Sequence, residues 1–364
     1  MIDTENNVST TAQTSFEKEY DEIKALSQKT EISREGILAK SYRSVMFAML
    51  GVIALLAVAI VVLAVGWNSE QGTVRHQVEL VEVEKIVEVP AFTVIDPGNE
   101  YSHELSDDSY LLSDTNYGPI WMPALAGVAK NEYLPEHFIK DEETGYLTYD
   151  DGESKTFAGI DISKYQGDID WDEVKDAGFE FVIIRCAYRG YVSGVLNADE
   201  RFEANIEGAL DAGLKVGVYV FSQALDVDEA LEEAEFVLDL IEDYDVTYPV
   251  VYDWEVVIDE DGDTARTKYI APDQLTNNAL VFCERIALEG YTPMVYANKK
   301  TAVWKYDLSR MQHIDIWFAE YSDTPTYFYD FAMWQYSSKG NVPGIKGNVD
   351  LNISWKDYSN LDKE

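Results

Sequence analysis

The chain has 364 residues, with 28 Lys and Arg against 67 Asp and Glu, and a formal net charge of −39. This charge argues against nucleic acid as a partner, because phosphate backbones are bound by clustered cationic side chains. The aromatic content, which includes 24 Tyr and 8 Trp, weighs against general disorder despite the charge. The length suits one sizeable domain with attachments, or two domains.

A long apolar segment lies near the N-terminus. Residues 1–44 are polar, and Val45–Trp67 then holds 23 residues without a charge. At a rise of about 1.5 Å per residue this segment spans roughly 34 Å, enough for the hydrocarbon core of a bilayer. It is predicted to be a transmembrane helix, since a cleavable signal peptide would be shorter and nearer Met1. Lys40 and Arg43 precede it, so residues 1–44 are predicted to be cytoplasmic and the rest of the chain extracellular.

The region after the apolar segment is predicted to connect it to a folded domain. Residues 68–117 are assigned to an extracellular stalk and linker, because they are rich in Glu, Asp, Ser and Asn and contain a Pro-Gly turn at Pro97. Residues 118–156 carry several aromatic side chains. They are predicted to form an ordered lead-in that packs on the domain beginning at Phe157.

Residues 157–364 show repeated alternation of strand and helix patterns. This alternation is typical of a parallel α/β sheet, and a barrel is favoured over a doubly wound sheet. The helical patterns shrink after the fifth strand, so the prediction is an irregular TIM-like β/α barrel with reduced later helices. The predicted strands are Gly159–Ser163, Phe179–Ala187, Leu214–Ser222, Tyr248–Glu255, Thr292–Ala297, Asp315–Ala319 and Phe331–Tyr336, and the predicted helices are Asp199–Ala212, Asp228–Asp243 and Pro272–Glu289.

The strand Tyr248–Glu255 ends in two carboxylates two positions apart. Side chains at i and i+2 of a strand share a face, so Asp253 and Glu255 should point the same way, with Cα atoms roughly 6.5–7 Å apart. Paired carboxylates at such a separation suit acid-catalysed cleavage of a glycosidic bond. A solvated strand end and an incomplete metal site are the alternative interpretations of these two residues.

Other candidate residues fall at the ends of the other predicted strands. In a β/α barrel the carboxyl ends of the strands carry the functional groups. The residues predicted to meet there, with Asp350 included if it reaches the site, are Asp161, Tyr219, Phe221, Asp253, Glu255, Tyr296, Trp317, Trp334, Tyr336 and Asp350.

Seven ordered stretches together resemble the glycoside hydrolase family 25 muramidases, also called Chalaropsis-type lysozymes. The resemblance covers Phe157 to about Lys356 and does not extend to residues 1–117. The stretches that carry it are Gly159–Trp171, Gly217–Phe221, Tyr252–Glu255, Gly290–Tyr296, Ile316–Ala319, Trp334–Tyr336 and Gly347–Asn352.

The resemblance implies an irregular β/α barrel that hydrolyses the β-1,4 bond between N-acetylmuramic acid and N-acetylglucosamine in peptidoglycan. It implies that Glu255 is the general acid and that Asp253 either attacks the anomeric carbon or orients the 2-acetamido group of the substrate. Asp161 and Asp350 match the remaining acidic positions of the family. Substrate subsites would be lined by aromatic residues, namely Tyr219, Tyr296, Trp317 and Trp334, with Phe221 and Tyr336 beside them. No cofactor or metal is implied.

The predicted anchor departs from the secreted members of the family. It suggests local action on glycan strands near the membrane, as part of an envelope assembly or a secretion or transfer machine. The charge should repel an anionic wall at low ionic strength. The alternative function is a catalytically inactive, membrane-tethered peptidoglycan-binding module.

A metal-dependent hydrolase is a third, disfavoured class, because the four His residues are not clustered with the carboxylates. The stretch Asp259–Asp263 resembles the start of a calcium loop but lacks the distal Glu that such a loop requires. Cys186 and Cys283 are predicted to be buried free thiols, in preference to a disulfide.

Overall fold

The computed structural model describes residues 105–114, 118–257 and 265–363. The predicted transmembrane helix Val45–Trp67, the N-terminal segment 1–44 and the loop Asp259–Asp263 lie outside these ranges. Within them, no helix has the length and apolar character needed to cross a membrane.

Two antiparallel hairpins precede the barrel. Strands β1 (Leu105–Asp114) and β2 (Gly118–Leu125) form the first, and β3 (Phe138–Lys140) and β4 (Leu147–Tyr149) form the second. The sequence assigned the first strand to the linker on its polar composition. The structure forms a strand there because it pairs with β2 and packs through Tyr110, which stacks on Phe328 with ring centroids 4.3 Å apart.

The second hairpin and its flanks contact the barrel through aromatic rings. Tyr133 stacks on Trp355 with ring centroids 4.1 Å apart, and its hydroxyl donates to the Phe331 carbonyl at 3.2 Å. Phe138 meets Trp334 edge to face at 5.3 Å. The aromatic residues of this segment therefore bury themselves against the last strands of the barrel.

Eight strands close into the barrel. Their ranges are β5 (Phe157–Ile162), β6 (Phe181–Arg189), β8 (Lys215–Ser222), β9 (Val246–Trp254), β10 (Pro293–Asn298), β11 (Asp315–Ala319), β12 (Met333–Gly340) and β13 (Val349–Ser354), while the short β7 (Leu196–Ala198) adds to β6 outside the ring. The order around the barrel is β5-β13-β12-β11-β10-β9-β8-β6, and β6 pairs back to β5. Strand β13 is antiparallel to both of its neighbours, and the other pairs are parallel.

Helices cover the outside of the first half of the barrel. They are α1 (Trp171–Asp176), α2 (Phe202–Asp211), α3 (Val227–Ile241), α4 (Pro272–Leu288) and α5 (Lys299–Trp304). The last is short, and the fully described connection 320–332 between β11 and β12 contains no helix. The prediction of a barrel with reduced later helices is confirmed. Strand β13 and helix α1 were not predicted.

The barrel separates two apolar clusters. The larger lies between the strands and the outer elements, and it includes Cys186 and Cys283, which are buried and unpaired as predicted. The smaller fills the interior, where Phe181 stacks on Tyr248 at 4.8 Å. Gly159 makes this interior packing possible, because a Cβ there would lie 2.2 Å from the Phe181 ring. The filled interior leaves only the carboxyl ends of the parallel strands for polar groups.

Candidate active site

Strand β9 delivers two carboxylates to the open end of the barrel. Its residues Val250, Val251 and Tyr252 are fully buried, so the strand is held on both faces up to the point where the acids begin. Asp253 is 5% exposed, and Glu255 follows the strand end and is partly exposed. The two carboxyl groups interact, since the Glu255 charge raises the pKa of Asp253. The sequence prediction that they share a face is consistent with this interaction.

Strands β5 and β13 bring two further carboxylates to the same end. Asp161 and Asp350 occupy directly opposed positions of this antiparallel pair, so their side chains leave the same face. Both also interact electrostatically with Glu255. The four predicted acidic residues therefore form one carboxylate cluster, which we define as Asp161, Asp253, Glu255 and Asp350.

The pKa of every member of the carboxylate cluster is raised. Burial is the main cause for each, and for Asp161 and Asp253 it lifts the pKa well above the ordinary value. Burial raises the pKa of Asp350 to about 6. The pKa of Glu255 is raised first by burial and then by the charge of Asp350. The cluster therefore retains protons at a pH where exposed carboxyl groups are ionised.

The charge that raises the pKa of Glu255 is that of Asp350, which lies on a different strand. Asp253 is the more deeply buried of the β9 pair, and burial, followed by the charge of Glu255, raises its pKa well above the ordinary value.

Two side-chain amides orient Asp161. Gln335 Nε2 and Asn352 Nδ2 each donate to Asp161 Oδ2 at 2.8 Å. The Trp317 indole N–H donates to Asn352 Oδ1 at 2.8 Å, and the Tyr296 hydroxyl donates to Gln335 Oε1 at 3.0 Å. Since an indole N–H can only donate, the Asn352 amide must turn its NH2 group toward the carboxylate. These donors oppose the rise in the Asp161 pKa that burial causes.

Sequence reasoning missed part of this arrangement. Asn352 and Gln335 each lie in a stretch that carried the family resemblance, but neither received a role. Tyr321 was not considered, although its hydroxyl donates to Gln335 Oε1 at 3.2 Å and its side chain is 59% exposed. The sequence signal that could have found Gln335 is the alternation of side chains along strand β12, which places Gln335 on the opposite face from Trp334 and Tyr336.

Trp334 and Tyr336 do not reach the site, contrary to the sequence prediction. Because Gln335 faces the barrel interior, its two neighbours face outward. Trp334 is fully buried in the outer cluster, and its indole N–H donates to the Glu320 carbonyl at 3.0 Å. The Tyr336 hydroxyl accepts from the Leu147 N–H at 3.3 Å. Both aromatic residues join the lead-in to the barrel.

The other predicted aromatic residues lie on the inner face of the barrel. Tyr219 and Tyr296 approach Trp317 edge to face, with ring centroids 6.3 and 5.0 Å apart. Trp317 is 2% exposed, so it forms the floor beneath the carboxylate cluster. Phe221 is partly exposed, and it lies two positions after Tyr219 on the same face of β8 and pairs in register with Asp253.

Asp253 retains a free acceptor. Its Oδ1 is buried and has no hydrogen-bond partner among the described residues. Arg185 lowers the pKa of Asp253 through its charge, while its guanidinium pairs with Asp199 at 2.6 Å. A buried acceptor without a partner is costly, so Oδ1 is available to accept a hydrogen bond from a bound ligand. The ranges that the structure describes hold no group of three or more His, Cys, Asp or Glu able to bind a metal ion.

Comparison with known families agrees with this geometry. The sequence model described as "Glycosyl hydrolases family 25" matches residues 160–345, just over half of the chain. The chain belongs to glycosyl hydrolases family 25. The matched range contains Asp161, Asp253 and Glu255, while Asp350 follows it.

The chain is similar to an autolytic lysozyme of Clostridium acetobutylicum, 30% identical over 195 residues that cover 53% of this chain and 54% of that protein. Lysozyme M1 of Streptomyces globisporus is 27% identical over 204 residues, covering 53% of this chain and 66% of that protein. The chain thus spans between half and two thirds of the length of these curated relatives. A solved family 25 glycosyl hydrolase from Bacillus anthracis is 22% identical, covers 62% of this chain and 98% of that one, and has a TM-score of 0.48.

Proposed function

We propose that this family 25 protein is an N-acetylmuramidase, a peptidoglycan hydrolase that cleaves the β-1,4 bond between N-acetylmuramic acid and N-acetylglucosamine. The observation that carries the proposal is the carboxylate cluster: four acids from three strands share the open end of the barrel, and each has a raised pKa. The names of its relatives, an autolytic lysozyme and lysozyme M1, support the same activity.

Glu255 acts as the general acid. Burial and the Asp350 charge raise its pKa, and it is the more exposed member of the β9 pair, so its proton can reach a bound substrate. Protonation of the glycosidic oxygen lets the leaving sugar depart as an alcohol instead of an alkoxide. After departure, the ionised Glu255 takes a proton from the incoming water.

Asp253 orients the 2-acetamido group of the muramic acid residue. Its buried Oδ1 lacks a partner and can accept the acetamido N–H, which turns the acetamido carbonyl oxygen toward the anomeric carbon. The carbonyl oxygen then forms the bond to that carbon as the glycosidic bond breaks, and water later opens the cyclic intermediate with retention. The acetamido hydrogen bond favours the ionised form of Asp253 and lowers its pKa, so the proton for acid catalysis stays on Glu255 when substrate is bound.

Asp161 stabilises positive charge at the sugar ring. Its Oδ2 accepts two amide hydrogen bonds, which oppose the rise in pKa that burial causes. In its ionised form, this fixed carboxylate beneath a developing oxocarbenium ion lowers the barrier. Asp350 has two roles: its charge raises the pKa of Glu255, and its partly exposed carboxyl group contacts the water that enters after the first step.

The enzyme is proposed to act from the cell membrane. The uncharged run Val45–Trp67 and the preceding Lys40 and Arg43 support an anchor with the catalytic barrel outside the cell. An anchored muramidase opens glycan strands locally, which suits a subunit of an envelope assembly or of a secretion or transfer machine. The net charge of −39 disfavours free diffusion into an anionic wall at low ionic strength.

Digestion of purified peptidoglycan tests the activity. The full chain in detergent is compared with Glu255→Gln and with Glu200→Gln, which removes an exposed carboxylate that pairs with Lys164 outside the cluster. The expected products are muropeptides with new reducing-end muramic acid, formed by wild type and Glu200→Gln and lost in Glu255→Gln. If wild type bound peptidoglycan but released no product, the protein would be a tethered binding module and not an enzyme. Products with new reducing-end N-acetylglucosamine would show that the enzyme cleaves the other glycosidic bond of the glycan strand.

Glycan whose muramic acid has lost its acetyl group tests the role of Asp253. The acetamido route predicts that such bonds resist cleavage while acetylated bonds in the same preparation are cut. Equal cleavage of both would assign the attack to Asp253 itself. The anomer released first, measured by proton NMR, should be β for either retaining route.

A further inference from the structure

A chain of hydrogen bonds lies behind the end of strand β9, outside the barrel interior. Gln223, which directly follows β8, is fully buried, and its Nε2 donates to the Glu255 carbonyl oxygen at 3.1 Å. Its Oε1 accepts from the Thr267 hydroxyl at 2.6 Å. The Thr267 oxygen in turn accepts from the Trp254 indole N–H at 3.1 Å. The chain thus begins at Trp254 and ends on the main chain of the adjacent Glu255.

The donor and acceptor of each hydrogen bond in this network are fixed. The indole N–H of Trp254 can only donate, so the Thr267 oxygen must accept from it and use its own hydrogen toward Gln223. The Gln223 amide must then present its oxygen to Thr267 and its NH2 group to the Glu255 carbonyl. Every member is at most 1% exposed apart from Glu255, so water does not compete for these bonds.

We propose that Gln223 and Thr267 form a clamp that positions the Glu255 side chain for proton transfer. The Gln223–Thr267 clamp holds the carbonyl of Glu255 behind the strand and the indole of Trp254 in the outer cluster. The torsions on either side of the Glu255 Cα are thereby fixed, and its carboxyl group is directed into the barrel. Gln223 and Thr267 are positioning residues, and their role rests on the proposed function of Glu255.

The surroundings show what a misplaced Glu255 would lose. Its carboxyl group interacts with Asp350, Asp161 and Asp253 from three different strands and with the phenols of Tyr296 and Tyr321. No described side chain donates a hydrogen bond to that carboxyl group. The fixed backbone is therefore what holds it in position. A displacement near 1 Å can lower a rate by about 10²-fold.

Both ends of the clamp are anchored independently of each other. The Asn278 amide donates to the Ala224 carbonyl at 3.0 Å, which holds the main chain beside Gln223. The main-chain N–H of Arg266 donates to the Tyr191 carbonyl at 2.8 Å, and its guanidinium pairs with Glu229 at 2.7 Å, which holds the main chain beside Thr267. Removing the Thr267 hydroxyl should therefore disturb the clamp without releasing either segment.

The test compares two buried threonines that differ in what they hold. Thr267→Val removes the clamp hydroxyl, and Thr276→Val removes a fully buried hydroxyl that donates to the Pro272 carbonyl at 2.9 Å and accepts from the Asp307 N–H at 2.9 Å. In peptidoglycan digestion by the full chain, Thr267→Val should lower kcat by about 10²-fold with KM within about 3-fold. Thr276→Val should retain kcat, and Thr267→Ser should restore it.

The pH profile and a titration distinguish positioning from loss of stability. A displaced Glu255 is better solvated, so its pKa falls and the alkaline limb of kcat for Thr267→Val moves to lower pH. Carbon-13 NMR of the Glu side-chain carboxyls in the full chain, assigned with Glu255→Gln, follows the same pKa without turnover. Thr276→Val should leave the pKa of Glu255 unchanged.

The outcomes separate the clamp from the proposed function. A fall in the Glu255 pKa for Thr267→Val alone supports the clamp even if wild type releases no product, in which case the muramidase proposal fails. If wild type is active and Thr267→Val matches Thr276→Val in kcat, pH profile and carboxyl titration, the clamp is refuted and Gln223 is only a structural residue.

Discussion

Asp350→Asn should stabilise the folded protein at alkaline pH while impairing its chemistry. Burial raises the pKa of Asp350 from 3.8 to about 6, so the folded state binds this proton more tightly than the unfolded chain does. A group of this kind contributes stability that is fully present below pH ~4 and is lost as pH rises through ~6. Above that range the native protein contains an ionised carboxylate in an unfavourable setting, and asparagine removes it.

The magnitude follows from the shift. About two pKa units correspond to roughly 3 kcal/mol, which we reduce to about 2 kcal/mol because the side chain is partly exposed. For a domain of this size, that free energy corresponds to a rise in Tm of about 4–8 °C at pH 8. At pH 3 the two proteins should unfold within about 1 °C of each other, since Asp350 is protonated in the folded state and mostly protonated in the unfolded chain there.

Thermal unfolding by circular dichroism between pH 3 and pH 8 measures this difference. Asp239→Asn, on the exposed face of helix α3, changes the net charge equally and serves as the control. The same Asp350→Asn variant should show a kcat whose alkaline limb lies at lower pH, because the charge that raises the Glu255 pKa is gone. A variant that is no more stable than wild type at pH 8, or a gain equal to that of the control, would refute the reasoning.

Three further predictions concern the residues around the site. Trp317→Phe removes the donor that orients Asn352, so kcat should fall by at least about 10-fold with KM nearly unchanged in steady-state assays. Trp334→Phe removes a donor in the outer cluster, so denaturant unfolding should show a loss of about 1–2 kcal/mol while KM stays the same; a higher KM would contradict its outward position. Gly159→Ala should lose about 1–3 kcal/mol, because the new methyl group meets the Phe181 ring, and Phe181→Leu should restore part of the loss.

The first half of the barrel was predictable from sequence because each element there carries a strong local signal. Strand β9 is a continuous apolar run, and helix α4 begins at a proline, so the predicted Pro272–Glu289 differs from the observed Pro272–Leu288 by one residue. Strand β13 has no such signal. Its residues Val349–Ser354 alternate apolar and polar side chains over only six positions, and its place between β5 and β12 is set by barrel closure.

The site was predictable to the level of residue type but not of orientation. Each of the four acids could be chosen because it ended a strand or matched a family position. Which residues of a strand face the barrel interior depends on the pairing register, which cannot be read from the sequence. In the motif Trp334-Gln335-Tyr336, aromatic content favoured the two outer residues as sugar contacts, whereas the strand period gives the interior to Gln335. Pairing between strands decides such cases.

The carboxylate cluster and the Gln223–Thr267 clamp are related through stability. Four carboxyl groups with raised pKa values lower the free energy of unfolding as pH rises, so the end of the barrel that carries the proposed chemistry destabilises the folded protein at neutral pH. Like charges in such a cluster would separate if the main chain allowed it. A buried network fixed to the backbone of Glu255, and not to its carboxyl group, prevents that separation while it leaves the acid free to exchange its proton. Because the clamp holds the main chain of Glu255, the four carboxyl groups stay close together while the Glu255 carboxyl can still gain and lose its proton.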